Sequence, residues 1–148
     1  MARYRNPAVT VDAVVFTRLQ DVLWVLLIRR RRPPFKGRWA LPGGFVNYDE
    51  PLDRAVRREL REETGVSRIL LEQFYTFGNP RRDPRGRVIS VSYWGSVRAD
   101  RIQLKAGDDA AMVRWFRVNR LPPLAFDHAA ILKRALACLR RRMGSSSK

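Results

Sequence analysis

The sequence predicts an α/β domain, a mixed β-sheet with a helix on each face. Three observations carry that expectation. Apolar runs of strand length are separated by loops rich in Gly and Pro. Two segments, Leu52 to Thr64 and His128 to about Arg141, space their apolar residues as helices do. The resulting order is β-β-β-helix-β-β-β-helix, with neither an internal repeat nor a domain linker. At 148 residues and 45% hydrophobic content, the chain suits one globular domain, assigned to residues 1–143. Residues 144–148 (GSSSK) read as a flexible C-terminal tail.

Pro7 to Thr17, rich in Val and Ala, reads as a buried strand, and Leu19 to Asp21 as a turn. Val22 to Ile28 is apolar almost throughout, as a central strand should be. It runs into four arginines, Arg29 to Arg32. Such a run suits a solvated strand end, and Arg30 is the member placed as a candidate phosphate ligand, since guanidiniums bind phosphate bidentately. Pro33 and Pro34 open a loop that leads through Trp39 to Gly43 and Gly44. Two adjacent glycines let backbone approach a metal or a phosphate closely.

Helix signals come next in the chain. Pro51 suits a first turn, Asp49 and Glu50 suit its positive end, and Gly65 is a natural stop. At about 100° per residue, Leu52, Ala55, Val56 and Leu60 form one apolar stripe, with Arg54, Arg57, Arg58 and Arg61 largely opposite. Glu59 and Glu63 fall inside the apolar stripe, and Glu62 lies at its margin. Surface pairing accounts for Glu62, four residues from Arg58. It does not account for two carboxylates one turn apart on the inward face, which repel each other and are costly to bury. A divalent cation resolves that conflict, and hard oxygen ligands on a rigid helix suit Mg²⁺ or Mn²⁺.

Beyond the helix, Ile69 to Phe77 reads as a strand, Gly78 to Gly86 (GNPRRDPRG) as a loop, and Arg87 to Val97 as an alternating strand. Arg81, Arg82 and Arg85 in that loop either meet a phosphate- or ribose-bearing ligand or simply decorate an exposed hairpin. Arg82 is the substrate-binding candidate among them. Ile102 to Lys105 reads as a short strand or extended segment, Ala106 to Ala110 as a loop, and Ala111 to Val118 as the last strand. Asp127 is expected to cap the final helix. Its apolar face carries Ile131, Leu132, Ala135, Leu136 and Leu139, and Arg140 to Arg142 suit its C-terminal end. The four tryptophans, 24, 39, 94 and 115, lie on strands and read as mostly core. His128, the sole histidine, reads as structural.

The stretch from Gly44 to Val66 (GFVNYDEPLDRAVRRELREETGV) matches every fixed position of the Nudix box, with LPGGF as lead-in. The chain therefore resembles the Nudix hydrolases, whose fold is an α/β/α sandwich with a mixed β-sheet between helices. The resemblance implies Mg²⁺- or Mn²⁺-dependent hydrolysis of a nucleoside diphosphate linked to another group. It implies metal ligands at Glu59, Glu62 and Glu63, completed by the carbonyl of Gly43 or Gly44. Arg58 would orient the glutamates and Glu50 would buttress the loop. A general base would be a box glutamate or a loop carboxylate, here Asp109, with Asp108 second. Phe45, Tyr75 or Phe77 would offer an adenine a flat apolar surface. The segments LEQFYTFGNPRRDPRGRVISVSY, AGDDAAMVRWF and LAFDHAAIL resemble the ADP-ribose pyrophosphatase branch, whose products are AMP and ribose 5-phosphate.

The same segments resemble the Nudix domain of bacterial regulators that sense ADP-ribose. Those carry a winged helix-turn-helix for which this chain ends early, and the box is intact, so the expectation is an enzyme. A nucleotide-pool sanitiser acting on oxidised nucleoside triphosphates uses the same machinery with a different pocket. Net charge is +16, with 26 of 30 basic residues arginine. Such a field speeds arrival of a nucleotide. Solvated arginine faces account for it without a dedicated nucleic-acid site, although a nucleic-acid-binding module is the reading from another class. One cysteine, Cys138, excludes an internal disulfide and suits a reducing cytoplasm. With no apolar run of spanning length and no signal-peptide pattern, no membrane partner is expected. Members acting on ADP-ribose are often homodimers.

Overall fold

The computed structural model describes residues 4–107 and 109–146. Asp108, the second candidate for the general base, and the tail residues Ser147 and Lys148 lie outside them.

Two long strands, β1 (Ala8–Leu19) and β2 (Val22–Arg30), form an antiparallel hairpin. Gln20 and Asp21 connect them with φ of 50° and 64°. Both central residues are left-handed, as the tight turn matching strand twist requires. The hairpin pairs only over Phe16–Leu19 against Val22–Val25. Beyond that, two short strands take over its free edges. β3 (Trp39–Ala40) pairs with β2, and β4 (Gly43–Phe45) pairs with Thr10, Val11 and Asp12 of β1. β4 leads directly into α1 (Leu52–Thr64), so the carboxylate helix hangs from the edge of β1.

β5 (Glu72–Phe77) and β6 (Val88–Ser96) extend the sheet on the other side, β6 running parallel to β1. β7 (Ala110–Arg117) pairs antiparallel with β2. One parallel pairing among antiparallel ones makes the sheet mixed, as expected. Both its faces are buried, which explains the near-continuous apolar runs. On β1, Val11, Ala13 and Val15 pack with Ala55, Val56 and Leu60 of α1. Val14 and Phe16 point the other way, toward Ile131, Leu132 and Ala135 of α2 (His128–Ser146). The period of two on the strand thus feeds two separate cores, one under each helix. Trp94 is buried under α2, Trp39 packs beside it, Trp115 packs under α1, and Trp24 is half-buried.

Several boundaries differ from expectation. Ile102 to Lys105 forms no strand. A 3₁₀ turn at Ala99–Arg101 redirects the chain, and Ile102 and Leu104 anchor the segment on the α1-side core. The Lys105 amide spends its bond on the Thr64 carbonyl at 2.9 Å, closing the end of α1 rather than joining a ladder. The α2 helix continues past Arg141 to Ser146. α1 has the predicted limits, with Gly65 at φ 81° as its left-handed stop.

Candidate active site

The diverging hairpin leaves a cleft of about 460 Å³ at the end of the sheet where β4 enters α1. Glu59 and Glu63 line its floor. Glu63 is only 4% exposed, and its Oε1 accepts the Gly43 amide at 2.8 Å. Among the described residues Glu63 makes no ion pair. Burial pushes its carboxyl well above the ordinary 4.5; the Gly43 amide opposes this, while Glu59, Asp12 and Asp109 add to it. The Glu59 carboxyl is also raised by burial, against the pull of Arg58.

Arg58 organises the acids on the helix. It donates to both oxygens of Glu50 at 2.7 and 2.9 Å, to Glu59 at 2.8 Å and to Glu62 at 3.2 Å. Nη2, one of the two nitrogens that hold Glu50, also reaches the Phe45 carbonyl at 3.1 Å. Glu50 in turn accepts the Asn47 amide at 3.2 Å, tying the loop before α1 to the helix. The bond to Arg58 holds Glu50 below its ordinary range.

The two glycines of β4 are required by space. A methyl group at Gly43 would sit 2.2 Å from the Val11 carbonyl oxygen and 2.6 Å from Asp12 Oδ1. One at Gly44 would sit 2.6 Å from the Glu59 carboxyl carbon. Bare backbone is what lets the strand lie against both β1 and the Glu59 carboxylate.

The donor set fits a divalent cation. Glu59 and Glu63 are hard oxygen donors whose charge is raised in energy by burial and mutual repulsion, and a dication reverses both penalties. Among the described residues no three acidic, imidazole or thiol side chains converge closely enough to hold a metal by themselves. Arg58 draws Glu59 and Glu62 toward itself, so waters and substrate oxygens would complete the shell, as is usual for Mg²⁺.

Guanidiniums and rings also line the cleft. Arg85 stacks over Phe45 at 4.7 Å and over Phe126 at 5.3 Å, and Arg30 also stacks on Phe126, at 4.9 Å. The sequence Phe45–Arg85–Phe126–Arg30 is a column of alternating ring and cation. Buried Asp83 fixes Arg85 through bonds of 3.0 and 2.8 Å. Burial works to raise the Asp83 carboxyl, but the Arg85 bonds prevail and hold it low. Arg30 donates to the Pro34 carbonyl at 2.7 Å, and burial and Arg85 lower its pKa. Asp109 lines the cleft rim, 3.1 Å from Arg32.

Two substrate candidates need correction. Phe77 is not part of the cleft; it packs against the core under α2 and edge-to-face on Tyr75 at 4.9 Å. A register irregularity in β5 between Gln73 and Tyr75 puts Phe74 and Phe77, three residues apart, on that same core. Arg82 does line the cleft, but its guanidinium is 3% exposed and bidentate to Asp127 at 2.7 and 3.0 Å. Arg85 is held by Asp83 in the same bidentate way but stays 38% exposed, whereas the buried Arg82 clamps the loop to the start of α2. Asp127 accordingly starts α2 through its backbone carbonyl, which accepts from Ala130 and Ile131, while its carboxylate serves Arg82.

Asp12, Asp83 and Phe126 also line the cleft, although sequence reasoning did not pick them out. Asp12 carries a readable signal, an acid amid the apolar run VTVDAVVF. Phe126 carries none, since its position depends on a left-handed backbone at φ 52°.

Known proteins share this geometry. The NUDIX domain model matches residues 6–136. The ADP-ribose pyrophosphatase of Methanocaldococcus jannaschii is 45% identical over 130 residues, covering 88% of this chain and 73% of that protein. The ADPR responsive transcriptional repressor NtrR of Acinetobacter baylyi is 38% identical over 143 residues, covering 94% of this chain but 57% of the repressor. The NUDIX domain of Shewanella oneidensis NrtR, crystallised with ADP ribose, superimposes with a TM-score of 0.86 at 36% identity, covering 92% of this chain and 90% of that one. With an intact carboxylate helix, an Arg58 clamp and a family match over most of its length, the chain belongs to the Nudix hydrolase family.

Proposed function

We propose that this protein hydrolyses the pyrophosphate bond of ADP-ribose, giving AMP and ribose 5-phosphate, with Mg²⁺ or Mn²⁺ at Glu59, Glu62 and Glu63. The observation that carries the reading is a buried Glu63, without an ion-pair partner among the described residues, in a cleft that Arg30 and Arg85 also line, in a chain 45% identical to an ADP-ribose pyrophosphatase. Carboxylates and guanidiniums lining one cleft suit a diphosphate, with Glu59, Glu62 and Glu63 as the residues that would hold a divalent cation beside it.

A divalent cation held by Glu59, Glu62 and Glu63 would supply Lewis-acid polarisation and charge neutralisation to the diphosphate. The chain's own residues do the rest. Arg58 fixes Glu59 and Glu62, and the Gly43 amide fixes Glu63. Arg30 and Arg85 meet the diphosphate, while the exposed Phe45 presents an apolar ring to the adenine or ribose. Asp109, or a glutamate of α1, takes the proton of the attacking water. Oxygen of that water ends on one phosphorus, and the bridging oxygen leaves with the other.

The test is a comparison of kcat/KM for ADP-ribose, NADH, diadenosine polyphosphates, 8-oxo-dGTP and dNTPs in Mg²⁺. ADP-ribose is expected to be preferred. Preference for a triphosphate overturns the substrate and leaves the metal site standing. The likeness to an ADP-ribose-binding repressor domain favours one second reading, a sensor that binds ADP-ribose without cleaving it. Tight ADP-ribose binding with no turnover would select it.

A further inference from the structure

Asp12 and His128 line the same cleft as Glu59 and Glu63, and with Ser90 they form a buried polar chain that the hydrolytic chemistry does not use. Asp12, Ser90 and His128 are each 5% exposed or less. Ser90 Oγ donates to Asp12 Oδ2, and Asp12 Oδ1 lies 3.5 Å from His128 Nε2. On its other side the imidazole accepts the Leu41 amide at Nδ1, at 3.0 Å. An accepting Nδ1 places the ring proton on Nε2, facing Asp12. Burial also lowers the imidazole's pKa, in keeping with a neutral ring.

The Leu41 peptide matters because of its place in the chain. It lies two residues before Gly43, whose amide holds Glu63 at 2.8 Å. Pro42 between them has no amide, and its carbonyl accepts the Ala13 amide at 2.8 Å. The connection from β3 to β4 is therefore pinned at three successive residues: to α2, to β1 and to Glu63. Apart from Glu63 itself, His128 is its only side-chain anchor among the described residues. The buried Leu41 amide, placed where β3 ends, would otherwise lack a partner, a costly state for a buried donor.

We propose that His128 is a positioning residue for the carboxylate site. As the acceptor for the Leu41 amide, backed by Asp12 and Ser90, it fixes the segment that presents the Gly43 amide to Glu63. The inference rests on the reading of Glu63 as a metal ligand, and extends that site to the first residue of α2. Outer groups that orient a ligand typically change metal affinity or activity 10- to 100-fold when removed.

Substitution chemistry separates this role from mere packing. In His128→Asn the side-chain oxygen stands near the place of Nδ1 and can still accept the Leu41 amide. In His128→Gln the amide reaches the place of Nε2 instead, and in His128→Phe no acceptor remains. Two readouts are made on full-length protein, with the melting temperature as the folding control. One is amide hydrogen exchange at Leu41 and Gly43 without metal. The other is affinity for Mn²⁺ alone, measured by electron paramagnetic resonance, with Glu63→Gln as reference. His128→Gln and His128→Phe are expected to exchange at least about tenfold faster at both amides and to lose about 10-fold in Mn²⁺ affinity, with His128→Asn close to wild type. Turnover should change in kcat rather than in KM. If His128→Phe does not fold, His128→Gln decides. Wild-type exchange and Mn²⁺ affinity in a folded His128→Gln overturn the proposal, as does a folded His128→Asn that behaves like His128→Gln. Mn²⁺ affinity unaffected by Glu63→Gln would overturn the metal reading itself, while exchange at Leu41 and Gly43 still judges the anchor.

Discussion

Gly43 and Gly44 are neighbours on one short strand, yet alanine at each should fail in a different way. At Gly43 the new methyl would lie 2.2 Å from the Val11 carbonyl oxygen and 3.0 Å from the Asp12 Cα, both backbone atoms of β1. Ordinary contact begins near 3.4 Å, so β4 would have to move off β1 by about 1 Å. That breaks the pairing of Thr10–Asp12 with Gly43–Phe45 and the Gly43–Glu63 bond together. A cost of about 3 kcal/mol is expected, at the upper end for overpacking. In a domain of this size it lowers the melting temperature by roughly 6–12 °C. At Gly44 the nearest atoms the methyl would meet are those of the Glu59 carboxylate, at 2.6–2.7 Å. A side-chain terminus can swing aside, so the stability cost is about 1 kcal/mol. Glu59 is then displaced, and affinity for Mn²⁺ should fall about 10- to 100-fold. Calorimetry and a Mn²⁺ titration on the two variants read both effects. Equal melting temperatures, or wild-type Mn²⁺ affinity in Gly44→Ala, would refute the reasoning.

The same contacts make further outcomes expected. Burial raises the Glu63 carboxyl, so in metal-free protein its ionisation costs stability: the folded state holds the proton more tightly than the unfolded state, and stability falls as pH rises from about 4.5 toward the folded value. Glu63→Gln should therefore melt higher than wild type in EDTA at neutral pH, with the gap closing below pH 4.5; a gap independent of pH would contradict this. Arg82→Met strands Asp127 and should cost about 3 kcal/mol in a denaturant titration, whereas a purely substrate-binding Arg82 would leave stability unchanged. Arg85→Met removes one cation from the ring column and should raise KM for ADP-ribose about 10-fold with kcat little changed. Phe77→Leu should leave KM unchanged, because that ring faces the α2 core.

The parts of this molecule that the sequence makes legible are those governed by local rules. Pro51 and Gly65 punctuate α1 to the residue, and helical spacing alone exposes Glu59 and Glu63 as acids on an inward face. Ala, Val and Leu runs mark strands buried on both sides. Contacts between distant segments are another matter. Arg82 looks like a free loop arginine until Asp127, 45 residues later, is brought against it. Phe77 belongs to the α2 core because of an irregularity in β5 that no alternation rule anticipates. Ile102 and Leu104 alternate as a strand would, but they join no ladder and instead anchor a loop on the α1-side core. Asp12 is conspicuous in the sequence, yet its meaning depends on Ser90 and His128 arriving from β6 and α2. The basic composition conceals as much as it reveals: Arg30 can be picked out at the end of its strand, but only the fold distinguishes Arg85 in the cleft from its neighbours in the same loop.

In the proposed reaction Glu63 and its neighbours would hold a divalent cation that supports hydrolysis of ADP-ribose at its pyrophosphate. That reaction is tested most directly by ³¹P NMR of ADP-ribose incubated with the protein and Mg²⁺, beside Glu63→Gln. The account predicts that the paired diphosphate resonances give way to two phosphate monoesters in equal amounts, AMP and ribose 5-phosphate. It predicts no such change with EDTA or with the variant. Diphosphate resonances that persist with the wild-type protein in Mg²⁺, or monoesters that form equally fast with Glu63→Gln, would contradict it.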